Sequence, residues 1–454
     1  MHRLSAAKRH AYGWTGFALT AAGMPLTIYM PKFYSDVMGV AVGTIGSVLM
    51  LGSVFDAVTD PAVGLISDNA HTRWGRRRPF IAVASVPLAI MLILLVAPPV
   101  MTPGDAVTWF LVTVLGLHFC WTLIGVPYES LGAEIAYDYD ERTRVLGLRD
   151  GLSLVGLMVA IVGPVVIGSL LASEGQALER ERFMIYGWVL GPTVVLAAWW
   201  CATGVRERPR LPQAVGAPGR LAELLDNRPF LMLAGGFALS TVSTQVPATL
   251  LLYYVPYVLG SPNAEPYLVA YVSAGILCVP LWLAAARRFE KRSVWLVAMA
   301  INAVAHGSTY FLGPGQEAQF VVLAVVGGTP MGALVALPAS MQADAIDLGQ
   351  LRSGMRREGL YTGVWLFIRK MMAAVGLGFA LWIVEGAGYV PNAPQGPEVQ
   401  LWLRRLFGLA PALLHIAAIA LVWRYPITRA RHRGILESIE STHGPAHGPP
   451  SARL

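Results

Sequence analysis

The chain has 454 residues, of which 55% are hydrophobic and 13% are charged, and its formal net charge at pH 7 is +7. Soluble proteins average about 25% charged residues, so this composition excludes a set of soluble domains. The positive charge does not indicate nucleic-acid binding, because the basic residues fall in short clusters between apolar runs. The three cysteines lie singly inside apolar runs, which argues against a disulfide framework or a zinc site. The composition predicts a membrane protein.

About twelve apolar segments follow one another along the chain. Each is long enough to cross a hydrocarbon core of about 30 Å as a helix of about 20 residues. Prolines inside several segments do not exclude this, because neighbouring membrane helices re-satisfy the backbone groups that a proline frees. The segments lie near residues 12–34, 41–67, 79–99, 106–134, 145–172, 183–204, 229–259, 265–286, 293–313, 318–346, 359–386 and 401–423. The predicted fold class is all-α and integral to the membrane.

The distribution of lysine and arginine predicts the orientation of these helices. The N-terminal segment, the even-numbered turns and the C-terminal tail hold about 26 of the 34 basic residues. Positive residues are enriched in cytoplasmic loops, so we expect both termini in the cytoplasm and a multi-pass protein of a bacterial-type inner membrane. The N-terminal residues have no apolar core before a cleavage site, which argues against a removable signal peptide.

Two basic turns at equivalent places predict an internal repeat. The turn between segments 2 and 3 and the turn between segments 8 and 9 contain, respectively, Arg73, Arg76, Arg77 and Arg78, and Arg287, Arg288, Lys291 and Arg292. Two six-helix bundles related by an axis along the membrane normal are typical of transporters with a central cavity. The expected parts are an N-terminal six-helix bundle over 1–205, a cytoplasmic linker over 206–228, a C-terminal six-helix bundle over 229–425 and a disordered cytoplasmic tail over 426–454.

Two aspartates, Asp56 and Asp60, stand one helical turn apart in the second apolar segment. A carboxylate near mid-membrane is unfavourable by several kcal/mol unless it faces a polar cavity, a partner or a cation. In one interpretation the pair, with the hydroxyl of Thr59 and groups from helix 4, binds Na⁺ or takes up and releases a proton. In the other, the aspartates form a buried salt bridge to Lys370 or Arg149. The two are compatible if Lys370 competes with the cation for the same carboxylates.

The stretch that follows the aspartates ends in a cluster of arginines in a tight turn. These arginines can pair with carboxylates of neighbouring helices in one conformation only, which would form a cytoplasmic gate. The alternative is that the basic turn only marks topology, as it does in many inner-membrane proteins. The gating candidates are Asp68, Arg73, Arg76, Arg77 and Arg142.

Three stretches, in this order and spacing, resemble the glycoside-pentoside-hexuronide:cation symporters, the melibiose permease-like family of the major facilitator superfamily. They are DAVTDPAVGLISDNAHTRWGRRRP (56–79), VPYESLGAEIAYDYDERTRVLGLRDG (126–151) and DAIDLGQLRSGMRREGLYTGVWLFIRKMMAAVGLG (344–378). The resemblance covers nearly the whole chain. It implies the major facilitator fold, with about twelve transmembrane helices in two six-helix bundles.

The resemblance also implies roles for individual residues. Asp56 and Asp60 match the cation-binding carboxylates of the family, and Thr122 falls where a cation-site threonine is expected. Lys370 matches the lysine that approaches this site. Arg149 matches an arginine that lines the substrate cavity. The implied cation site, with Na⁺ as one candidate ion at the aspartates, comprises Asp56, Thr59, Asp60, Thr122 and Lys370.

Several positions depart from the pattern of the sugar-transporting members. Thr20 and Gly125 stand where those members have two sugar-binding aspartates. One turn after Gly125, Glu129 replaces an aromatic residue beside Tyr128, and an acid at this place could replace the missing aspartate. Thr59 stands where the sodium cage has an asparagine, so coupling to Na⁺ and coupling to H⁺ both stay open.

Polar and aromatic side chains supply candidates for a substrate cavity. Tryptophan and tyrosine faces stack on sugar rings, while Arg149 and Lys370 attract an acid. Most aromatic residues of membrane helices serve packing or interfacial anchoring, and a histidine more often satisfies an interhelical hydrogen bond than relays protons. The predicted substrate site is Thr20, Gly125, Tyr128, Glu129, Arg149 and Trp365, and further candidates include Trp14, Tyr29, His118, Trp121, Gln245, Tyr253, Asn302 and His306.

These features predict cation-coupled symport, driven by Na⁺ or H⁺, of a sugar-like solute (a glycoside, pentoside or hexuronide) by alternating access. A symporter of lysophospholipids or other amphiphiles fits Thr59 and the VPYESL motif equally well. We expect no enzymatic activity, because metal-ligand spacings, a nucleophile elbow and a phosphate loop are absent from the sequence. A passive channel is disfavoured because cation-site carboxylates in a two-bundle repeat suit coupling. We expect a monomer without a cofactor other than the coupling ion, whose partners are a small-molecule substrate and the lipid bilayer, and not nucleic acid.

Overall fold

The computed structural model describes residues 5–135, 139–205, 207, 221–355 and 357–443, and its regular secondary structure in these ranges is helical. Each of the twelve predicted segments corresponds to one helix or to one interrupted helix. These are α1 Ala6–Ile28 with its extension Met30–Asp36, α2 Val42–Asn69, α3 Arg78–Val96, α4 Pro103–Ile135, α5 Tyr139–Ser169, α6 Gly175–Gly204, α7 Arg228–Tyr254 with the π-helical turn Val255–Leu259, α8 Glu265–Arg288, α9 Lys291–Thr309, α10 Glu317–Gly328 and Met331–Ser353, α11 Glu358–Gly386, and α12 Pro397–Arg404, Arg405–Leu409 and Ala410–Val422.

Ten of these helices are long and apolar enough to cross a membrane. The other two, α1 and α9, contain more polar residues, and several of these are buried by packing inside the bundles. Asn302 and His306 of α9, for example, are almost fully buried, and the Asn302 side-chain amide donates to the carbonyl of Gly327 at 2.9 Å. A polar group that is satisfied between helices does not need to meet lipid.

The two halves of the chain repeat the same packing. In the first half α1 packs against α5 and α6, and in the second α7 packs against α11 and α12. Glycines allow both contacts: a Cβ on Gly156 of α5 would lie 2.5 Å from the Phe17 carbonyl oxygen of α1, and a Cβ on Gly376 of α11 would lie 3.3 Å from the Val242 carbonyl oxygen of α7. Small residues let membrane helices approach closely. The predicted repeat of two six-helix bundles is confirmed.

The bundles meet chiefly along two helix pairs, α2 with α11 and α5 with α8, and α1 also contacts α7. At the α2–α11 contact a Cβ on Gly46 would lie 3.2 Å from the Gly378 carbonyl oxygen, so the two backbones touch. We call the side of the molecule that carries both termini the terminus face. The other side, which has the turns at 37–41, 97–102, 170–174, 260–264, 310–316 and 387–396, is the opposite face.

Polar contacts join the bundles at the opposite face. The Tyr389 hydroxyl donates to the Asp36 carboxylate at 3.3 Å, and the Asn392 amide donates to the Asp36 carbonyl at 2.7 Å. Arg182 and Glu265 form a further ion pair at 3.5 Å. Burial and the nearby Asp36 charge raise the pKa of the Tyr389 phenol, so it keeps the proton that it donates. These contacts tie the two bundles together at the opposite face.

Besides the twelve helices, a short helix, Leu221–Asp226, precedes α7. The prediction that the tail after Pro426 lacks structure does not hold for Arg429–His443, which forms a further helix that we label α13. Ile435 is 5% exposed, and His432 Nε2 lies 2.9 Å from a carboxylate oxygen of Asp347 on α10. The polar composition of the tail suggested disorder, but an apolar side chain and a hydrogen bond dock this part of it. Residues 444–454 lie outside the described residues.

Candidate functional site

Five side chains from three helices meet near the middle of the molecule. Helix α2 supplies Asp56 and Asp60, and α4 supplies His118 and Thr122. The members of each pair are one turn apart, so they share one face of their helix. Helix α11 of the other bundle supplies Lys370. The cluster therefore links the N-terminal bundle to the C-terminal bundle.

Thr122 lies between the two carboxylates. Its hydroxyl oxygen is 2.9 Å from Asp60 Oδ1 and 3.3 Å from Asp56 Oδ1. A hydroxyl has one proton and donates it to one carboxylate at a time, while its lone pairs can ligate a cation. The structure thus brings Thr122 together with both aspartates of the predicted cation site.

Lys370 and His118 complete the cluster. The Lys370 ammonium lies 3.4 Å from Asp56 Oδ2 and donates a short hydrogen bond to Asp60. His118 Nδ1 lies 3.0 Å from Asp56 Oδ2. A carboxylate only accepts hydrogen bonds, so Nδ1 is the protonated ring nitrogen in this contact.

The carboxylates are not sealed in dry packing. Asp56 is 7% exposed and lines a cavity of about 350 Å³ between the bundles. The side chains of Asp60 and Lys370 are 27% and 30% exposed. The cluster therefore borders open space at the bundle interface.

Local sequence explains how these groups come so close. A Cβ on Gly52 would lie 2.8 Å from His118 Nε2, so only a glycine at this position leaves room for the imidazole against α2. Pro61 has no backbone N–H and leaves the carbonyl of Ala57, one turn earlier, without its usual helical donor. The helix thus offers a spare carbonyl oxygen beside the carboxylates.

Thr59 is placed differently from the prediction. Its hydroxyl donates to the carbonyl of Phe55 at 2.9 Å, an ordinary bond to the preceding turn of the same helix. Its described hydrogen bonds go to the backbone of α2 and not to the aspartate side chains. The residues that the structure brings together are the other four members of the predicted cation site.

The cavity extends from Asp56 toward the opposite face. The Trp121 ring lies against α1, where a Cβ on Gly23 would be 2.6 Å from it. Apolar side chains of α1, α2, α4 and α11 form most of the wall. Its polar lining residues are Thr20, Thr27, Ser53, Asp56, His118, Trp121 and Gln245.

Of the predicted substrate residues on α1 and α4, the structure places Thr20 on the cavity wall. Gly125, Tyr128 and Glu129 lie further toward the terminus face of α4. Tyr128 is buried, stacks on Tyr12 at 4.5 Å between ring centroids and donates to the Tyr12 carbonyl at 2.8 Å. Glu129 is exposed. Tyr128 is thus a packing residue between α1 and α4.

Arg149 and Trp365 are also set apart from the cavity. Arg149 is half-buried, sits where a Cβ on Gly16 would meet it at 2.9 Å, and pairs with Asp150 at 2.7 Å. Trp365 is 5% exposed and stacks on Phe237 at 4.1 Å between ring centroids. It belongs to the core of the C-terminal bundle.

His118 is the site residue whose role the sequence left open. It belonged to the wider set of cavity candidates, with an interhelical hydrogen bond as its more frequent role. The structure gives it such a bond, and the acceptor is a predicted cation-site carboxylate. The available signal was its spacing of one turn from Thr122 on α4. Gln245 and Trp121 of the wider set also line the cavity.

The predicted gating residues pair within the N-terminal bundle. Arg77 contacts Asp68 of α2 at 2.7 Å and Glu134 of α4 at 3.0 Å, and Arg76 contacts Glu134 at 3.1 Å. In the second repeat Lys291 and Asp344 of α10 form the equivalent pair at 2.7 Å. Of the remaining candidates, Arg73 is exposed, and the side chain of Arg142 lies outside the described part of the structure.

Glu207 fixes the backbone of the arginine turn. Its carboxylate accepts from the backbone N–H groups of Arg76, Arg77 and Arg78 at 2.6, 2.8 and 2.7 Å, where α3 begins. A carboxylate at the start of a helix satisfies N–H groups that have no partner in the helix. Gly75 permits this turn, since its φ is +112° and a Cβ would lie 2.7 Å from Glu207.

Comparison with known proteins identifies the family of the chain. The sequence model of the family described as MFS/sugar transport protein matches residues 11–429. The chain belongs to the glycoside-pentoside-hexuronide:cation symporter family. As a member of this symporter family, the protein is a multi-pass membrane transporter.

Two curated relatives and one solved structure illustrate the likeness. The glucuronide carrier protein homolog of Escherichia coli (strain K12) is 27% identical over 91% of each chain. The isoprimeverose transporter of Lactiplantibacillus pentosus is 22% identical over 96% of this chain and 91% of its own. A bacterial homolog of the human lysosomal transporter Spinster, in an inward-facing and unoccupied conformation, superposes with a TM-score of 0.66 at 14% identity, covering 95% of this chain and 97% of its own. The last likeness concerns the fold alone.

Proposed function

We propose that this symporter-family member moves a sugar-like solute together with one monovalent cation, Na⁺ or H⁺, by alternating access. The observation that carries the proposal is the cluster at the bundle interface. There, Asp56 and Asp60 of one bundle share the Thr122 hydroxyl and also share the ammonium of Lys370 from the other bundle.

The charges of the cluster favour uptake of one positive charge. Two carboxylates and one ammonium leave one negative charge uncompensated when His118 is neutral. Such a charge is poorly solvated inside a membrane protein, where electrostatic interactions are stronger than in water. A sodium ion held by Asp56, Asp60 and Thr122, or a proton on one carboxylate, removes the imbalance.

Coupling follows from the position of Lys370 on the second bundle. When a cation neutralises the carboxylates, their hold on Lys370 weakens and the interface between α2 and α11 changes. A ligand shifts a conformational equilibrium only by its difference in affinity between the two states. The cation changes an inter-bundle contact, and the solute, bound between the bundles, changes it further, so both can favour the same occluded state.

The cavity supports a solute of modest size with hydroxyl groups. About 350 Å³ is available. Thr20 and Gln245 offer hydrogen bonds, and the Trp121 indole offers a flat face for a sugar ring. The similarity of the chain to the glucuronide carrier homolog and the isoprimeverose transporter also supports a glycoside as the solute.

A second candidate solute is an amphiphile such as a lysophospholipid. The apolar part of the wall favours it, with Leu19, Met24, Leu49 and Leu377 among the lining residues. Its acyl chain would need an opening between helices toward the bilayer. A glycoside with an apolar aglycone would use the same wall without such an opening.

The positive-inside rule supports placing the terminus face in the cytoplasm. The contacts between Asp36 and Tyr389 then lie on the outer side, and the conformation described is closed outward. Reopening of that side would admit the solute and the cation.

A thermal-shift screen of the purified protein tests the proposal. The panel would contain methyl glycosides, xylosides, glucuronate and lysophosphatidylcholine, each with Na⁺ or with choline, at two pH values. A glycoside whose stabilisation increases with Na⁺, or with acid, is expected, and uptake of that glycoside into proteoliposomes should follow the gradient of the same cation. Stabilisation by lysophosphatidylcholine alone would favour the amphiphile. Glycoside uptake that ignores both gradients would contradict coupling.

A further inference from the structure

Two neighbouring arginines, Arg404 and Arg405, lie at the opposite face, although most basic residues of the chain lie toward the terminus face. The Arg405 guanidinium lies over the ring of Trp402, 5.1 Å from its centroid. Arg404 instead lines an open groove of about 520 Å³. Two adjacent residues of the same type therefore face different surroundings.

The groove lies between the end of α9 and the start of α12. Helix α9 packs on α10 and α12, and α12 packs on α7 and α9, whereas the bundles meet chiefly along α2–α11 and α5–α8. The groove is thus on the outer side of the C-terminal bundle, away from the central cavity. It is lined by Tyr310, Phe311, Pro397, Gln400, Leu401 and Arg404.

The groove has an apolar part and a polar part. Phe311 is 75% exposed and Leu401 is 36% exposed, and both are directed outward from the bundle. Gln400 and Arg404 form the polar part. Aromatic side chains at the ends of membrane helices mark the level of the lipid headgroups. At this level, the surroundings of an outer groove are phospholipids.

Comparison with the matching arginine of the first repeat shows that Arg404 makes few hydrogen bonds for a guanidinium. Arg180 occupies the matching place at the start of α6, where it donates to the Pro98 carbonyl after α3 at 3.3 Å and to two further acceptors in the turn after α1. Among the described contacts, Arg404 has a single long bond, 3.4 Å to the Tyr310 carbonyl after α9. A guanidinium has five N–H groups. In the first repeat Arg180 joins two turns. In the second, most N–H groups of the Arg404 guanidinium are open to the groove.

We propose that this groove binds a phospholipid, with the phosphodiester on the Arg404 guanidinium and the first methylenes of a chain along Phe311 and Leu401. The planar fork of arginine matches phosphate oxygens, and charge-assisted bonds of this kind are among the stronger ones in proteins. The size of the groove, its position at headgroup level and its two-part lining fit an amphiphile with an anionic head.

The test uses the full chain, purified in detergent, stripped of lipid and titrated with palmitoyl-oleoyl-phosphatidylglycerol under native mass spectrometry. Wild type should show one lipid bound more tightly than the rest. Arg404→Gln should weaken that binding about ten-fold. Arg405→Gln removes the same charge from the neighbouring residue and should leave the binding unchanged. Equal weakening by both variants, or no weakening by either, would overturn the proposal.

A second variant guards against a folding defect in the first. Leu401→Trp fills the groove while keeping Arg404 and its bond to Tyr310, and it should also lose the tight lipid. Diacylglycerol with the same chains should not bind at this site, and millimolar inorganic phosphate should not displace the phospholipid. Tight binding of diacylglycerol would show that the phosphate is not recognised. Displacement by inorganic phosphate would reveal a site for a soluble anion, and either result would overturn the proposal.

Discussion

Lys370 on α11 lies 3.4 Å from Asp56 on α2, so an ammonium of the C-terminal bundle neutralises a carboxylate of the N-terminal bundle. The same ammonium donates to Asp60 one turn along α2. This shared contact ties the charge state of two aspartates to the packing between the bundles. Substitutions in the cluster are therefore expected to change coupling, stability or both.

Asp60→Asn should abolish cation-driven uptake while leaving folded protein in the membrane. The amide keeps the shape of the side chain but removes the charge that a cation or proton would neutralise. The measurement is solute uptake into proteoliposomes with an imposed Na⁺ or H⁺ gradient. Asp105→Asn, at the exposed start of α4, is the matched control and should behave as wild type. Full retention of driven uptake by Asp60→Asn would remove the proposed site.

Lys370→Ala should lower stability, because it leaves two carboxylates a turn apart without their ammonium. The cluster is partly exposed, so the expected loss is about 1–2 kcal/mol. Adding Asp60→Asn to Lys370→Ala should recover part of the loss by removing one of the repelling charges. Thermal unfolding of the three variants in detergent measures this cycle. Arg369→Ala, the exposed neighbour, is the control and should change little. Additive losses in the double variant would argue against the contact.

Gly52→Ala and His118→Ala should have similar effects on the cation. A Cβ on Gly52 would meet His118 Nε2 at 2.8 Å, so the alanine pushes the imidazole from its place beside Asp56. Loss of one hydrogen bond to a charged group corresponds to about a ten-fold change in apparent cation affinity. The measurement is the cation concentration that gives half-maximal uptake. Gly386→Ala, where a Cβ would meet open space, is the control. A Gly52→Ala variant with wild-type cation affinity would show that the position of His118 does not matter to the site.

Glu207→Ala should destabilise the N-terminal bundle by about 1–2 kcal/mol, because three backbone N–H groups at the start of α3 lose their acceptor. Glu207→Gln keeps an acceptor oxygen without the charge and should lose less. Melting temperatures in detergent compare the two. An alanine variant that melts with wild type would mean that water replaces the carboxylate without loss.

The sequence was sufficient for the helices and for the repeat, because both depend on local patterns. Apolar length decides whether a segment can span a bilayer, and the basic turns at Arg76 and Lys291 mark equivalent places in the two halves. The ion pairs agree with this repeat: Arg77 pairs with Glu134 in the first half, and Lys291 pairs with Asp344 in the second.

Four of the five residues predicted for the cation site lie together, and their role there stays a prediction. Asp56, Asp60, Thr122 and Lys370 come together as the family resemblance implied. The orientation of other side chains depends on which helix faces pack together, and the amino-acid sequence does not reveal which faces these are. Trp365 thus turned to the core of its own bundle. The same applies to α13. Its polar sequence predicted disorder, because the surface of α10 against which it docks is not apparent from the sequence.

The backbone contact between Gly46 and Gly378 affects the leakage of ions through the transporter. Where main chain touches main chain, there is no space for a file of water molecules. Protons and hydrated sodium ions therefore cannot pass between α2 and α11 at this contact. Such a contact reduces the leakage of ions through the transporter when no solute is bound, and so helps to preserve the membrane potential.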